Sequence, residues 1–201
     1  GPERRITPQR ALWELQRTLP ASTRYTCDSG EHTLYALHYL GIDDARCFSV
    51  ALGLASMASG IGMALGIAAG SPGDPVVAIA GDGGYTMALP AIAAAAHARL
   101  PIVFAILNDG RYGMCDIGYA AVYGRTPGFQ LGQLDVARTA EGLGARAIRI
   151  TGPDQITKLD LAALSKDGPI VLDIQIDREV RMLSSARYEV MQAAPQEQPR
   201  N

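Results

Sequence analysis

Two carboxylates stand out by type and spacing. Asp82 interrupts VVAIAGDGG (76–84), where a run of β-branched and small apolar residues stops at an aspartate flanked by glycines. It is the only Asp, Glu, Lys or Arg between residues 75 and 98. Asp109 lies in ILNDGRYGM (106–114), again directly after an apolar run. Either turn alone is ordinary, since GDG and NDG are common turn sequences. Together, each closing a strand of buried type, they point to one site. Glycine lets the backbone approach a ligand closely, and the amides of Gly83 and Gly84 can open a following helix. A helix N-terminus attracts phosphate, whereas a carboxylate beside it repels phosphate. A hard divalent cation removes the conflict, because Mg²⁺ takes one or two carboxylates together with phosphate oxygens. The chemistry expected here is a carboxylate-held cation clamped onto a diphosphate.

The elements that must hold these turns follow from the flanking pattern. VVAIA (76–80) and PIVFAIL (101–107) are short continuous apolar runs, as in strands covered on both faces. RYTCDSG (24–30) predicts a short strand ending near Asp28 and Gly30, and 146–150 and 170–176 (IVLDIQI) predict two more. TPQRALWELQRTL (7–19) predicts an amphipathic helix, with Thr7 as N-cap, Pro8 in the first turn, and Leu12, Leu15 and Leu19 on one face. Residues 31–40 read as a helix or an irregular turn. The Gly-rich stretch 53–70 reads as a helix in which Gly60, Gly62 and Gly66 permit tight packing. Further helices are expected at 85–98, with Pro90 in its opening turns, at 135–143 before Gly144, and near 157–165. Strands alternating with helices predict an α/β fold, a doubly wound and mainly parallel sheet with helices on both faces. Ligands of such sheets bind at the carboxyl ends of the strands. The expected organisation is a leader over 1–6, whose Gly-Pro resembles a cleaved-tag scar, one domain over 7–180, and a partly disordered tail over 181–201.

Bulk properties narrow the function. The 201 residues suffice for one good-sized core, and 48% hydrophobic with 19% charged residues indicates a folded, soluble protein. A net charge of −2 without a basic block gives nucleic-acid binding no electrostatic support. Cys27, Cys47 and Cys115 show neither CxxC nor Cys/His spacing and read as reduced thiols of a cytoplasmic protein. The polar start predicts no secretory signal. Residues 47–73 lack charge, yet 51–70 is too rich in Gly, Ala and Ser for a membrane span, so a helix buried in protein is expected there. GIGMALG (60–66) matches a dinucleotide loop only loosely, and no strand leads into it.

GDG followed by an Asn-Asp pair resembles the signature of thiamine-diphosphate (ThDP) enzymes, in particular the C-terminal diphosphate-binding (PP) domain of the acetohydroxyacid synthase and pyruvate decarboxylase group. DSGEHTLYAL (28–37) is similar to that family's D-x-G-x-H segment, GLASMASGIGMALG (53–66) to its G-L-x-x-M-x-x-G-x-x-x-A-x-G helix, and RYGM (111–114) to the tail of its metal loop. The likeness runs from about residue 8 to 180. It implies that Asp82, Asp109 and the carbonyl of Arg111 ligate Mg²⁺, with Asp109 standing where the family usually has Asn. It implies that Glu31, His32, Gly83 and Gly84 surround the diphosphate, Glu31 replacing a frequent Gln. Ala55, Gly81, Tyr112, Gly113 and Met114 would line the cofactor. Met57 and His32 carry the implied catalytic parts: Met57 wedges beneath the cofactor and forces its bent form, and His32 serves at the diphosphate. Cys115 and His97 are expected to be structural.

The implied reaction is decarboxylation of a pyruvate-like 2-oxo acid and transfer of the acyl carbanion to a carbonyl acceptor, acetolactate-synthase-like. A two-subunit decarboxylase of the sulfopyruvate or phosphonopyruvate type, and a non-catalytic ThDP-binding partner, are the alternatives. The family's activating glutamate belongs to a separate pyrimidine-binding (PYR) domain. The seven glutamates here (3, 14, 31, 141, 179, 189 and 197) include none in a second α/β domain. The resemblance therefore implies the PP half of a split enzyme, completed by a PYR subunit in a dimer of heterodimers, or else an excised domain. Arg181, Arg187 and Tyr188 are candidates for holding a substrate carboxylate.

Overall fold

The computed structural model describes residues 5–132, 134–180 and 182. The two apolar runs that carry the carboxylates form adjacent central strands, β3 (Val76–Gly81) and β4 (Ile102–Asn108), buried along almost their whole length. With β1 (Arg24–Cys27), β2 (Phe48–Val50), β5 (Arg146–Ile150) and β6 (Ile170–Gln175) they make one six-stranded sheet of order β2-β1-β3-β4-β6-β5. Every pairing is parallel, and the register sets Cys27 beside Ile79, Gly81 beside Leu107 and Asn108 beside Gln175. The chain passes from β1 outward to β2 and then back across to β3. That reversal opens a crevice at the carboxyl ends of β1 and β3, where ligands of open α/β sheets sit.

The helices are α1 (Pro8–Arg17), α2 (Glu31–Tyr39), α3 (Ser59–Gly70), α4 (Asp82–Met87), α5 (Leu89–His97), α6 (Gly113–Tyr123), α7 (Val136–Gly142) and α8 (Leu161–Ser165). Side chains alternate across the strands and so build two cores. Val77, Ile79, Val103 and Ala105 pack with Leu12 and Leu15 of α1 and Tyr35 of α2. Ala78, Ala80, Phe104 and Ile106 pack with Ile61 of α3, Ile92 of α5 and Val136 of α7. The doubly wound fold expected from the alternating pattern is the fold observed. Thr7 caps α1 as expected, its hydroxyl accepting the Arg10 N–H at 3.2 Å.

Local expectations fail where Gly and Ala dominate. Residues 53–58 are not helical: α3 starts at Ser59, and Ala55 (φ 54°) and Ala58 (φ 71°) adopt left-handed backbone. Nor is α3 surrounded by protein, since it buries only the stripe Gly60, Ile61, Ala64 and Ala68. Gly60 lies against β1, whereas a Cβ at Gly62 or Gly66 would meet nothing within 4 Å. Gly62→Ala and Gly66→Ala are therefore expected to stabilise the chain by about 0.5–1 kcal/mol each in urea denaturation, because alanine restricts the unfolded backbone. The helix expected over 85–98 instead begins at Asp82, breaks at Ala88, and resumes with Pro90 in the first turn of α5, where no N–H is needed. Neither β2 nor α6 was expected from the sequence pattern. Arg181, Arg187 and Tyr188 lie outside the described residues, as does the tail apart from Met182. Among the described residues no helix is long and apolar enough to cross a membrane.

Candidate functional site

A cavity of about 420 Å³ opens at the carboxyl edge of the sheet, walled by the segments that follow β1, β2, β3, β4 and β6. It collects every residue expected there from the sequence. Glu31 and His32 come from the first turn of α2, and Ala55 and Met57 from the loop after β2. Gly81, Asp82, Gly83 and Gly84 come from the junction of β3 and α4. Asp109 and Arg111 follow β4, and Tyr112, Gly113 and Met114 lead into α6. Cys115, expected to be structural, is exposed on the same rim.

The loop that carries Met57 is held from outside itself. Ala58, at the N-terminus of α3, has no side chain with which to cap the helix. Asp28, fully buried just after β1, takes that role: Oδ2 accepts the Ala58 N–H at 2.8 Å and Oδ1 the Gly60 N–H at 3.1 Å. Capping across the chain satisfies amides that a helix start leaves open. Met57 and Tyr112 then close on Gly83 from two directions. A Cβ there would lie 2.9 Å from the Met57 methyl and 2.7 Å from the Tyr112 ring, so any larger residue must displace both side chains.

Asp82 joins the two turns. Its Oδ1 accepts the Gly83 N–H at 3.0 Å and its Oδ2 the Gly110 N–H at 2.8 Å. Gly110 has φ +77°, which glycine adopts without strain. Burial, reinforced by the charge of Asp109, pushes the Asp82 carboxyl up to about 7 against the pull of those backbone N–H groups. Glu31 adds a third carboxylate. Its Oε2 and the Asp109 Oδ2 lie 3.2 and 3.1 Å from where a Cβ of Gly113 would stand.

One guanidinium balances this cluster. Arg111 donates from Nε to Asp109 (2.9 Å), from Nη1 to Asp116 (3.1 Å), and from Nη2 to the Arg178 carbonyl (2.8 Å). Burial works against its charge, yet the bond to Asp109 and the charges of Asp109, Asp116 and Glu31 prevail and raise its pKa. The contact with Arg178 brings the segment after β6 into the cavity wall. Neither Asp116 nor Arg178 carries a local signal of this role.

The ring of His32 lies against Gly30 and Gly81. Burial holds its pKa below the ordinary histidine value, with Asp28 and Asp109 opposing. Its Nε2 is buried and has no hydrogen-bond partner among the described residues. Buried polar atoms are normally paired, so an orphaned imidazole nitrogen in a cavity wall leaves a place for a ligand atom. The hard oxygens of Asp82 and Asp109 suit Mg²⁺, and the orphan nitrogen of His32, which lines the same cavity, suits an oxygen of the bound group. Mg²⁺ with a diphosphate therefore fits the residues present.

Residues 28–174 match the family described as thiamine pyrophosphate enzyme, C-terminal TPP binding domain; thiamine pyrophosphate and ThDP are the same compound. The acetolactate synthase of Bacillus subtilis (strain 168) is 27% identical over 173 residues, covering 86% of this chain and 30% of that protein. The acetolactate synthase large subunit of Corynebacterium glutamicum is 28% identical over 184 residues, covering 88% and 29%. The solved structure of the Rhodococcus jostii RHA1 thiamine diphosphate-dependent 4-hydroxybenzoylformate decarboxylase shares the fold, with a TM-score of 0.78 at 23% identity over 88% of this chain and 33% of that one. The chain thus spans about a third of the length of these relatives. The matched region starts at Asp28, which caps α3, and ends in β6, so it contains the junctions after β1, β3 and β4. With the fold, the acidic junctions and the sequence match in agreement, this chain belongs to the family of C-terminal thiamine pyrophosphate-binding domains of ThDP enzymes.

Proposed function

We propose that this chain is the PP subunit of a ThDP- and Mg²⁺-dependent enzyme that decarboxylates a pyruvate-like 2-oxo acid and transfers the acyl carbanion to a carbonyl acceptor. A separate PYR-domain subunit supplies the activating glutamate. The observation that carries this reading is the convergence of Asp82, Asp109 and the orphan His32 nitrogen on one cavity. In this reading residues 7–180 form the PP domain. The chain covers about a third of these relatives' length, and the reading assigns the PYR domain to a separate chain. Three cysteines without a disulfide support a reducing, cytoplasmic setting in this reading.

Asp82, Asp109 and the Arg111 carbonyl would hold Mg²⁺; Glu31, His32, Gly83 and Gly84 would surround the diphosphate. When bound, ThDP supplies the electron sink that lets a 2-oxo acid lose CO₂. The Arg111 guanidinium offsets Asp109 and Glu31, which would leave the site less negative toward an anionic diphosphate. Met57, fixed by the loop that Asp28 caps, presents an apolar wall that orients the cofactor. Ala55, Gly81, Tyr112, Gly113 and Met114 complete the enclosure and restrict water.

The test mixes this chain with a PYR-domain chain that carries the glutamate, ThDP and Mg²⁺, and follows CO₂ and product from pyruvate. Carboligation product from the mixture, with neither chain active alone, is the expected result. CO₂ with free aldehyde assigns a simple decarboxylase instead. Turnover by this chain alone overturns the split arrangement, and ThDP binding without turnover of any 2-oxo acid tested leaves a non-catalytic partner.

A further inference from the structure

The metal loop is held from below as well as above. Asn108 ends β4, one residue before Asp109, and its side chain lies on the same face of the sheet as Phe104 and Ile106. There its Nδ2 donates to Asp173 Oδ1 at 2.9 Å. Asp173 stands in mid-β6, fully buried in an otherwise apolar run. The same Oδ1 accepts Gln175 Nε2 at 2.7 Å, and Oδ2 accepts Arg149 Nε at 3.1 Å. Arg149 also pairs with Asp135, which caps α7 by accepting the Arg138 N–H at 3.0 Å. A buried carboxylate is costly unless paired, and an apolar side chain would fill this strand position at less expense.

We infer that Asp173 is a positioning residue for the metal loop. It fixes Asn108, and through it the backbone of residues 108–110, so that Asp109 and the Gly110 N–H face Asp82. The loop is thereby pinned twice, by Asp173 beneath Asn108 and by Asp82 on the Gly110 amide. The Asn108 carbonyl adds a third tie, accepting the Ile176 N–H at 3.1 Å. The bearing of this arrangement on cofactor binding rests on the Mg²⁺·ThDP reading above.

Two measurements on the full chain test it. In the cofactor-free protein, Asn108→Ala and Asp173→Ala are each expected to speed exchange of the Gly110 amide by about tenfold while leaving the amides of β1 unchanged. The double variant should be no faster than either single one, because both break the same tie. Asp173→Asn, which keeps an acceptor for Asn108, should exchange like the unaltered chain. Should Asp173→Ala fail to fold, Asn108→Ala and Asp173→Asn still decide the matter. Unchanged Gly110 exchange in Asn108→Ala, or acceleration spread over all strands, overturns the inference. In calorimetric titration with Mg²⁺ and ThDP, Asn108→Ala should need roughly 10–100 times more Mg²⁺ than the unaltered chain. Equal affinity overturns the role in cofactor binding, whereas failure of the unaltered chain to bind overturns the Mg²⁺·ThDP reading and leaves the Gly110 result to decide the positioning.

Discussion

Asp82→Asn is expected to abolish Mg²⁺-dependent ThDP binding and, at the same time, to raise the melting temperature of the cofactor-free chain at pH 8. Loss of binding follows from removing the charge that connects the two turns. The gain in stability follows from the sign of the pKa shift. Asp82 is raised from 3.8 to about 7 by burial and by Asp109, so the folded chain holds its proton more tightly than the unfolded chain. Stability then falls as pH rises from the unfolded value through the folded one, and the full cost is present above about pH 7. Converting that shift gives about 4 kcal/mol as an upper bound at pH 8 and little below pH 4. Asparagine keeps an acceptor for one of the two backbone N–H groups without the charge. Thermal scans at pH 4 and pH 8, with and without Mg²⁺ and ThDP, measure both effects. A variant no more stable than the unaltered chain at pH 8 would show that water or backbone dipoles already solvate Asp82. Activity that survived Asp82→Ala would remove it from the metal site.

Gly60→Ala is the other large effect, here purely destabilising. The first turn of α3 touches β1 so closely that an added Cβ would lie 2.6 Å from the Cys27 carbonyl carbon and 2.7 Å from the Asp28 Cα. Both are backbone atoms, at the end of an interior strand and just beyond it, and cannot swing aside as a side chain would. Moving the helix instead breaks the Asp28 bond to the Gly60 N–H and the Thr26 bond to the Gly60 carbonyl at 2.8 Å. The expected loss is about 3 kcal/mol or more, a large part of a typical domain's stability. Urea denaturation monitored by circular dichroism reads it directly. A loss below 1 kcal/mol would mean that α3 tilts freely on the sheet.

The parts legible from sequence were those in which a local pattern has one physical meaning. The apolar runs 76–80 and 101–107 could only be covered strands, and the acidic turns that end them had to emerge on one edge of a parallel sheet. Segments rich in Gly and Ala carried no such meaning. Residues 53–58 have few side chains to choose between helix and loop, and tertiary bonds from Asp28 to Ala58 and Gly60 made that choice. Strand β2 is three residues long, too short for a period to register. Helix α6 opens on glycine and has no clear apolar face, so the reading of its first residues as loop concealed it. Arg178 was illegible because its partner Arg111 lies far away in the chain. Asp173 did carry a signal, a charge inside the apolar run IVLDIQI, of the same kind that drew attention to Asp82.

Arg111 has a consequence for how such a domain can change over generations. Its three donors serve carboxylates at 109 and 116 and a carbonyl at 178, and Asp116 also holds the Thr126 hydroxyl. Lysine has no planar fork with which to reach all three, and a neutral residue strands the buried carboxylate of Asp116 and the half-buried one of Asp109. Changing Arg111 alone is therefore expected to be tolerated less well than changing it together with Asp109 and Asp116, whereas Gly62 and Gly66 on the open face of α3 should accept changes one at a time.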